Sequence, residues 1–419
     1  MPRGTFRGTT KYFYKMKSID SVRSEFPSLL NKDDKGNQVL YLDGPGGTQV
    51  PTTVINSVSD YYKECNSNTH GEFLSSKKTD DVMERMREKV SIFMGAESKD
   101  CISIGHNMTT LNFSLARAFS KMFKEGDEVI VTELDHEANR GPWRTLENVG
   151  VKLIEVKLLK DGTLDYVDFK NKINEKTVLV AMGMSSNSLG TVNDFMKVKD
   201  YLKNHNALFL LDAVHYAPHF SIDVQSLGCD FLLCSAYKFY GPHIGLLYSK
   251  PNLLEKIQPE RLVVQDQFAP FIIETGTLNH AACNGVSAAL DFIASLGEGA
   301  TYKEQLVDAY IFLGKHEFEL ASYLYSQLNK LEKINVVGQD FKSVKRSPTV
   351  SFVHDDLTAN EVCQKLAKEN ICAWDGHFYA LKSIQALGLE EKGGVTRLGI
   401  SVYNTLDEMN RTIQAVSKL

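Results

Sequence analysis

The sequence predicts an α/β fold: a large domain with a mainly parallel sheet between helices, joined to a smaller α+β C-terminal domain. Three observations carry this reading. Strand-like runs alternate with helix-like ones from about Asp80 to Leu290, several of those runs are apolar almost without a break, and the pattern changes after Gly297.

The strand candidates are Cys101–Ile104, Glu128–Thr132, Val151–Glu155, Val178–Met182, Leu208–Leu211, Phe231–Cys234 and Gly245–Tyr248. Several lack polar alternation, as expected of strands buried on both faces. Between them, Asp81–Met94 sets Val82, Met86, Val90 and Phe93 on one side of a helix. Beyond Gly297, Tyr302 to Leu331 reads as one long amphipathic helix, and Thr349–Val353 and Arg397–Val402 read as strands. The expected division is an N-terminal tail and segment over 1–35, a large domain over 36–295 and a small domain over 296–419. The small domain is expected to pack with the N-terminal segment around Phe26–Leu42. Two domains suit a length of 419 residues.

Composition narrows the partners. Apolar residues make up 43% and charged residues 24%, the balance of a globular protein. A net charge of −5 offers no electrostatic case for nucleic acid or an anionic membrane. No apolar run approaches the roughly 20 residues that span a bilayer. The seven cysteines (Cys65, Cys101, Cys229, Cys234, Cys283, Cys363 and Cys372) form no C-x-x-C pair. They read as reduced thiols of a cytoplasmic protein, with no zinc site and no other metal expected. The stretch Met1–Lys17 is basic and free of acids, which fits either an organelle-targeting segment or a plain tail. It lacks amphipathic periodicity, so the tail and the cytoplasm are the expectation.

Open α/β sheets bind ligands beyond the carboxyl ends of their strands. Polar residues follow five of the predicted strands: Gly105–Thr110, Asp135–Asn139, Ser185–Thr191, Asp212–His215 and Ser235–Lys238. One such loop is ordinary; five on one edge are not explained by packing. Thr109 and Thr110 open a helical run and suit a phosphate, although a threonine there also serves as a simple cap. Asp212 after one buried strand and Lys238 after the next meet the needs of pyridoxal-phosphate (PLP) chemistry. A carboxylate keeps the pyridine nitrogen protonated, and a lysine amine forms the Schiff base and later acts as a base. The plain alternative is a buried Asp–Lys ion pair, and the neighbouring loops weigh against it.

Ser235-Ala236-Tyr237-Lys238-Phe239-Tyr240-Gly241-Pro242 resembles the lysine motif of fold-type I, class V aminotransferase-like enzymes, the cysteine desulfurase branch in particular. Tyr41-Leu42-Asp43-Gly44-Pro45-Gly46-Gly47-Thr48, Asp135-His136-Glu137-Ala138-Asn139, Glu274-Thr275-Gly276-Thr277 and the stretch from Arg397 to Thr405 are similar to that branch in the same order. The resemblance implies the PLP-dependent transferase fold type I, PLP as cofactor, an amino-acid substrate and a homodimer with shared active sites. By position it implies Lys238 as the Schiff-base lysine, Asp212 beside the pyridine nitrogen and His136 stacked on the ring. His215 would sit near the phenolic oxygen with Asn187 beside it. Thr109, Thr110, Ser235 and Tyr237 would bind the phosphate, although the related desulfurases carry histidine where Tyr237 stands. Thr277 would reach the phosphate of the neighbouring subunit. Arg397 would grip the substrate carboxylate, with Gly46, His377 and Tyr379 also at the substrate.

One departure matters. Desulfurases carry sulfur on a cysteine that follows a Gly-His pair; here Gly376-His377 is followed by Phe378-Tyr379, and Tyr379 takes the cysteine's place. Trp374 likewise replaces an arginine of the family. A phenol does not hold sulfur as a persulfide, and Cys372, on an apolar run, is expected to be inert. The resemblance therefore implies a cysteine desulfurase-like enzyme lacking the persulfide cysteine, with lyase-type chemistry (C–S cleavage or β-elimination). A true desulfurase with a non-standard thiol, a class V aminotransferase and an epimerase stay open. The retained Lys238, Asp212, His136 and Arg397 argue against a non-enzymatic scaffold. Trp374, Phe378 and Tyr379 point to a side chain larger or less polar than that of cysteine.

Overall fold

The computed structural model describes residues 18–419; the basic stretch Met1–Lys17 lies outside the described residues. The large sheet holds β1 (Ile102–Gly105), β2 (Glu128–Thr132), β3 (Lys152–Val156), β4 (Thr177–Gly183), β5 (Leu208–Asp212), β6 (Phe231–Ser235) and β7 (Gly245–Ser249), in the order β1-β7-β6-β5-β4-β2-β3. β2 to β6 run parallel to one another, whereas β7 is antiparallel to both β1 and β6.

The unbroken apolar runs are explained by two cores. Leu179 and Ala181 of β4 face one core while Val180 and Met182 face the other, and Phe231 and Leu233 of β6 alternate in the same way with Leu232 and Cys234. Successive side chains point to opposite faces, so a strand covered on both sides has no polar position to spare. Parallel neighbours need crossover connections, and these bring the carboxyl ends of β2, β4, β5 and β6 to one edge. β5 ends on Asp212 and β6 on Ser235.

A second, antiparallel sheet contains β8 (Ile334–Val337), β9 (Thr349–His354), β10 (Trp374–Gly376) and β11 (Val395–Gly399), in the order β10-β11-β9-β8. Trp374 on β10 lies opposite Arg397 on β11. The helix Tyr302–Leu328 serves both cores. Leu306, Ala309 and Leu313 join the core of the large sheet, and Leu320, Leu324 and Leu328 join that of the small one. The N-terminal segment is divided in the same way, with Phe26 and Leu29 in the first core and Leu40 and Leu42 in the second.

Two elements differ from expectation for physical reasons. The helix expected over Asp81–Met94 begins at Leu74, because Ser76 and Thr79 are buried through hydroxyl bonds to the Asn68 and Cys65 carbonyls. Such polar contacts hide the apolar period. β11 stops at Gly399, not Val402, because Ser401 N–H turns to the side chain of Asn404.

The loop that carries Thr277 is anchored by a buried fork. Arg87 donates to both oxygens of Glu274 at 2.7 and 2.6 Å, and Glu274 also accepts from Ile104 N–H at 2.7 Å. Both side chains are only 6% exposed. Removing one partner strands the other charge out of water. Arg87→Ala is therefore expected to cost about 3–5 kcal/mol of stability, seen as a lower midpoint in chemical denaturation.

Candidate active site

Beyond the carboxyl edge lies a cavity of about 700 Å³, walled by the loops that follow β1, β2, β4, β5 and β6. Asp212 and Lys238 line it, each 8% exposed. Burial, aided by the charge of Arg397, lowers the Lys238 amine to about 7, and its Nζ contacts the Pro45 carbonyl. Burial raises the Asp212 carboxyl to about 7, although its Oδ1 accepts from Val214 N–H at 2.9 Å. The two strand ends thus hold a readily deprotonated amine and a carboxyl group lacking a full counter-charge.

His136 closes one wall. Its Nδ1 accepts from Ala138 N–H at 3.0 Å, which assigns the proton to Nε2. Burial and the charges of Lys238 and Arg397 lower the ring to about 4, so it stays neutral. His215 is held by Thr349 Oγ1 through Nε2 at 3.0 Å, while its buried Nδ1 has no partner. Asp135 fixes the loops from below, accepting from Thr132 N–H at 2.8 Å and Gly183 N–H at 2.6 Å.

At the opposite end, helix Met108–Phe119 opens on an Asn107 capping box. Thr110 gives its hydroxyl proton to the Asn107 carbonyl at 2.8 Å, so the residue expected on the phosphate serves the helix cap first. Ser235 Oγ accepts from Met108 N–H at 3.0 Å and keeps its own proton for an anion. Thr109 lines the cavity beside them. Tyr237 stacks on His243 at 4.8 Å and 9°, and both rings line the cavity.

An outer chamber of about 680 Å³ continues from this cavity and shares Gly46, His136, Asn187, Tyr237 and Lys238 with it. Arg397, 3% exposed, donates to the Asn187 carbonyl at 2.9 Å and lies 3.8 Å from the centre of the Phe378 ring. A Cβ at Gly46 would sit 3.1 Å from the Trp374 indole nitrogen, so glycine makes room for that ring. Asp43 stands near Arg397 and Lys238; burial raises its carboxyl to about 6, and its Oδ1 is unpartnered.

Three expected residues lie toward the outside of the site. Asn187 lines both chambers and gives its amide N–H to the Phe378 carbonyl at 2.9 Å. His377 is exposed and lines neither chamber; its Nδ1 accepts from Tyr379 N–H at 3.1 Å and shapes the turn. Thr277 is exposed beside a separate cavity of about 970 Å³, away from the site of its own chain. Sequence reasoning missed Asp43, Asp135, His243 and Phe113 as site residues. The first three stand within or beside quoted motifs, so the signal was proximity to Lys238, His136 and Gly46.

The class V aminotransferase model matches residues 40–412. The chain belongs to this family. It is 32% identical over 412 residues, 95% of this chain and 97% of the relative, to a probable cysteine desulfurase of Halalkalibacterium halodurans. It also resembles the apo structure of a cysteine desulfurase from Thermococcus onnurineus, with TM-score 0.85 and 25% identity over 96% of this chain and 98% of that one. The fold alone is shared with a chain solved with glycine linked to its PLP cofactor, at TM-score 0.78 and 17% identity over 95% and 99% of the two chains. This class V protein is a PLP-dependent enzyme of fold type I. Its site fits the cofactor: the unpartnered His215 Nδ1, the buried Asp212 carboxyl and the Lys238 amine all border one cavity.

Capture of PLP by the apoprotein needs the neutral amine. Its rate is expected to rise about tenfold per pH unit below about pH 7 and to level off above it. Absorbance stopped-flow measures this directly, and a flat profile through that range would remove Lys238 as the attacking amine.

Proposed function

We propose that the enzyme cleaves a carbon–sulfur bond of an α-amino acid by β-elimination, without storing the sulfur on a cysteine of its own. One observation carries this reading: among the described residues, no cysteine lines either chamber. Cys372 is half-buried, and burial beside Asp43 raises its thiol to about 11.

When bound, PLP supplies an electron sink for the electrons left at the substrate's Cα. Lys238 would hold the cofactor, and its Nζ would take the Cα proton; an amine titrating near 7 suits a general base. Asp212 would hold the pyridine nitrogen, whose positive charge would answer the buried carboxylate. Arg397 receives the α-carboxylate. The departing sulfur takes the proton that Lys238 removed from Cα, and His136, kept neutral by burial, would stack on the cofactor ring. Thr109 and Ser235 hold the phosphate, and Thr277 reaches that of a second subunit. The exposed apolar run Leu262, Val263 and Val264, at 59, 95 and 93% exposure, supports such a homodimer. The reading of the compartment is the cytoplasm, supported by seven unpaired cysteines.

The second reading, a true cysteine desulfurase, is favoured by the names of the relatives. Holoenzyme given cysteine is expected to release pyruvate, ammonia and sulfide, with the same yield from Cys372→Ser. Alanine as the product, lost in Cys372→Ser, would establish the desulfurase instead. Lys238→Ala is expected to lower kcat by about 10²–10⁴-fold while the chain stays folded by circular dichroism.

A further inference from the structure

We infer that the outer chamber receives a large apolar substituent carried on the substrate's sulfur, aromatic by preference, so that the substrate class is S-substituted cysteine. This rests on the elimination reading above and adds the identity of the leaving group.

The outer chamber overlaps the inner cavity around Lys238 and His136, and three of the residues it adds, Trp374, Phe378 and Tyr379, are aromatic. Trp374 and Tyr379 are 54% and 69% exposed in the free protein. Exposed aromatic rings gathered at a cavity mouth mark a surface that gains by being covered.

The rings are also held in place. Trp374 is fixed by its strand register against Arg397 and by the space left at Gly46. Phe378 and Tyr379 adopt left-handed backbone angles, φ of 50° and 58°. Asn187 Nδ2 holds the Phe378 carbonyl at 2.9 Å and Glu137 N–H holds the Tyr379 carbonyl at 2.7 Å. Walls fixed before binding lose little freedom when a ligand arrives. The Phe378 ring covers one face of the Arg397 guanidinium, leaving its edge for a carboxylate and turning the rest of the wall apolar.

Charge selects in the same direction. Apart from Lys238 and Arg397, which serve the cofactor and the α-carboxylate, the charged residue lining the chamber is Glu137. Its carboxylate is paired with Arg144 at 2.7 Å and lies 3.6 Å from Arg140. A charged substrate side chain would find no free counter-ion there.

The reaction balances without an acceptor thiol. The Cα–H bond gives its proton to Lys238, and the Cβ–S bond breaks with both electrons leaving on sulfur. The sulfur takes that proton from the Lys238 ammonium and departs as R–SH. Water hydrolyses the remaining three-carbon unit to pyruvate and ammonia, with no oxidant or reductant consumed.

The test gives holoenzyme S-benzylcysteine and S-methylcysteine and follows pyruvate and released thiol. The kcat/KM for S-benzylcysteine is expected to exceed that for S-methylcysteine by about tenfold or more, in line with the discrimination an apolar pocket provides. Trp374→Ala and Phe378→Ala are each expected to pull that ratio toward one while the cofactor's absorption band persists. A wild-type ratio at or below one, with pyruvate formed from S-methylcysteine, overturns the chamber and leaves elimination standing. A high ratio unmoved in both variants also overturns it. No pyruvate from either substrate or from cysteine overturns both readings together.

Discussion

Lys238 follows a strand with no exposed residue, and keeping its amine out of water organises the site around it. A buried ammonium group is costly unless a charge answers it, and here two carboxyl groups and one guanidinium compete. Asp212 and Asp43 favour the charged amine; burial and Arg397 oppose it and prevail. Folding lowers this amine from 10.5 to about 7, so its cost to stability is full below about pH 7 and fades as pH rises toward 10.5. Asp212, raised from 3.8 to about 7, runs the other way: its cost is full above about pH 7 and fades as pH falls toward 3.8. Near neutrality neither group is satisfied. A cofactor that consumes the amine and places a cationic ring nitrogen beside the carboxylate relieves both, so binding energy and reactivity have a common source.

The parts legible in the sequence share one property: local pattern determines them. β2 was read to the residue, and β5 and β6 to within one, because strands covered on both faces are apolar throughout. Asp212 directly follows such a run and Lys238 stands in the turn just after the next one. The partners of Asn187 and His377, the Phe378 carbonyl and the Tyr379 N–H, come from long-range and turn contacts that local pattern does not display. Thr110 illustrates a different difficulty. Its residue type suits a phosphate and a helix cap equally, and only the bond to the Asn107 carbonyl shows which of the two occupies its proton.

Asp43 and Gly46 show what a motif hides. Both lie in the glycine-rich stretch beside Lys238, yet neither acts there through flexibility alone. Gly46 makes space for the Trp374 indole, while Asp43 brings a second acid toward Arg397 and Lys238.

The exchange at Tyr379 is best understood through the turn that carries it. Phe378 and Tyr379 occupy backbone angles that side chains with a Cβ adopt at a cost, and such strain persists only where the surroundings hold it. Here the restraints are the Asn187 and Glu137 hydrogen bonds and the Phe378 ring against Arg397. A turn whose task is to carry a thiol to the substrate and away again would be poorly served by restraints on both of these residues. A turn that forms a wall is well served by them. On the elimination reading proposed above, the two belong together: a segment that carries no thiol and is held at both residues serves as a wall for the leaving group.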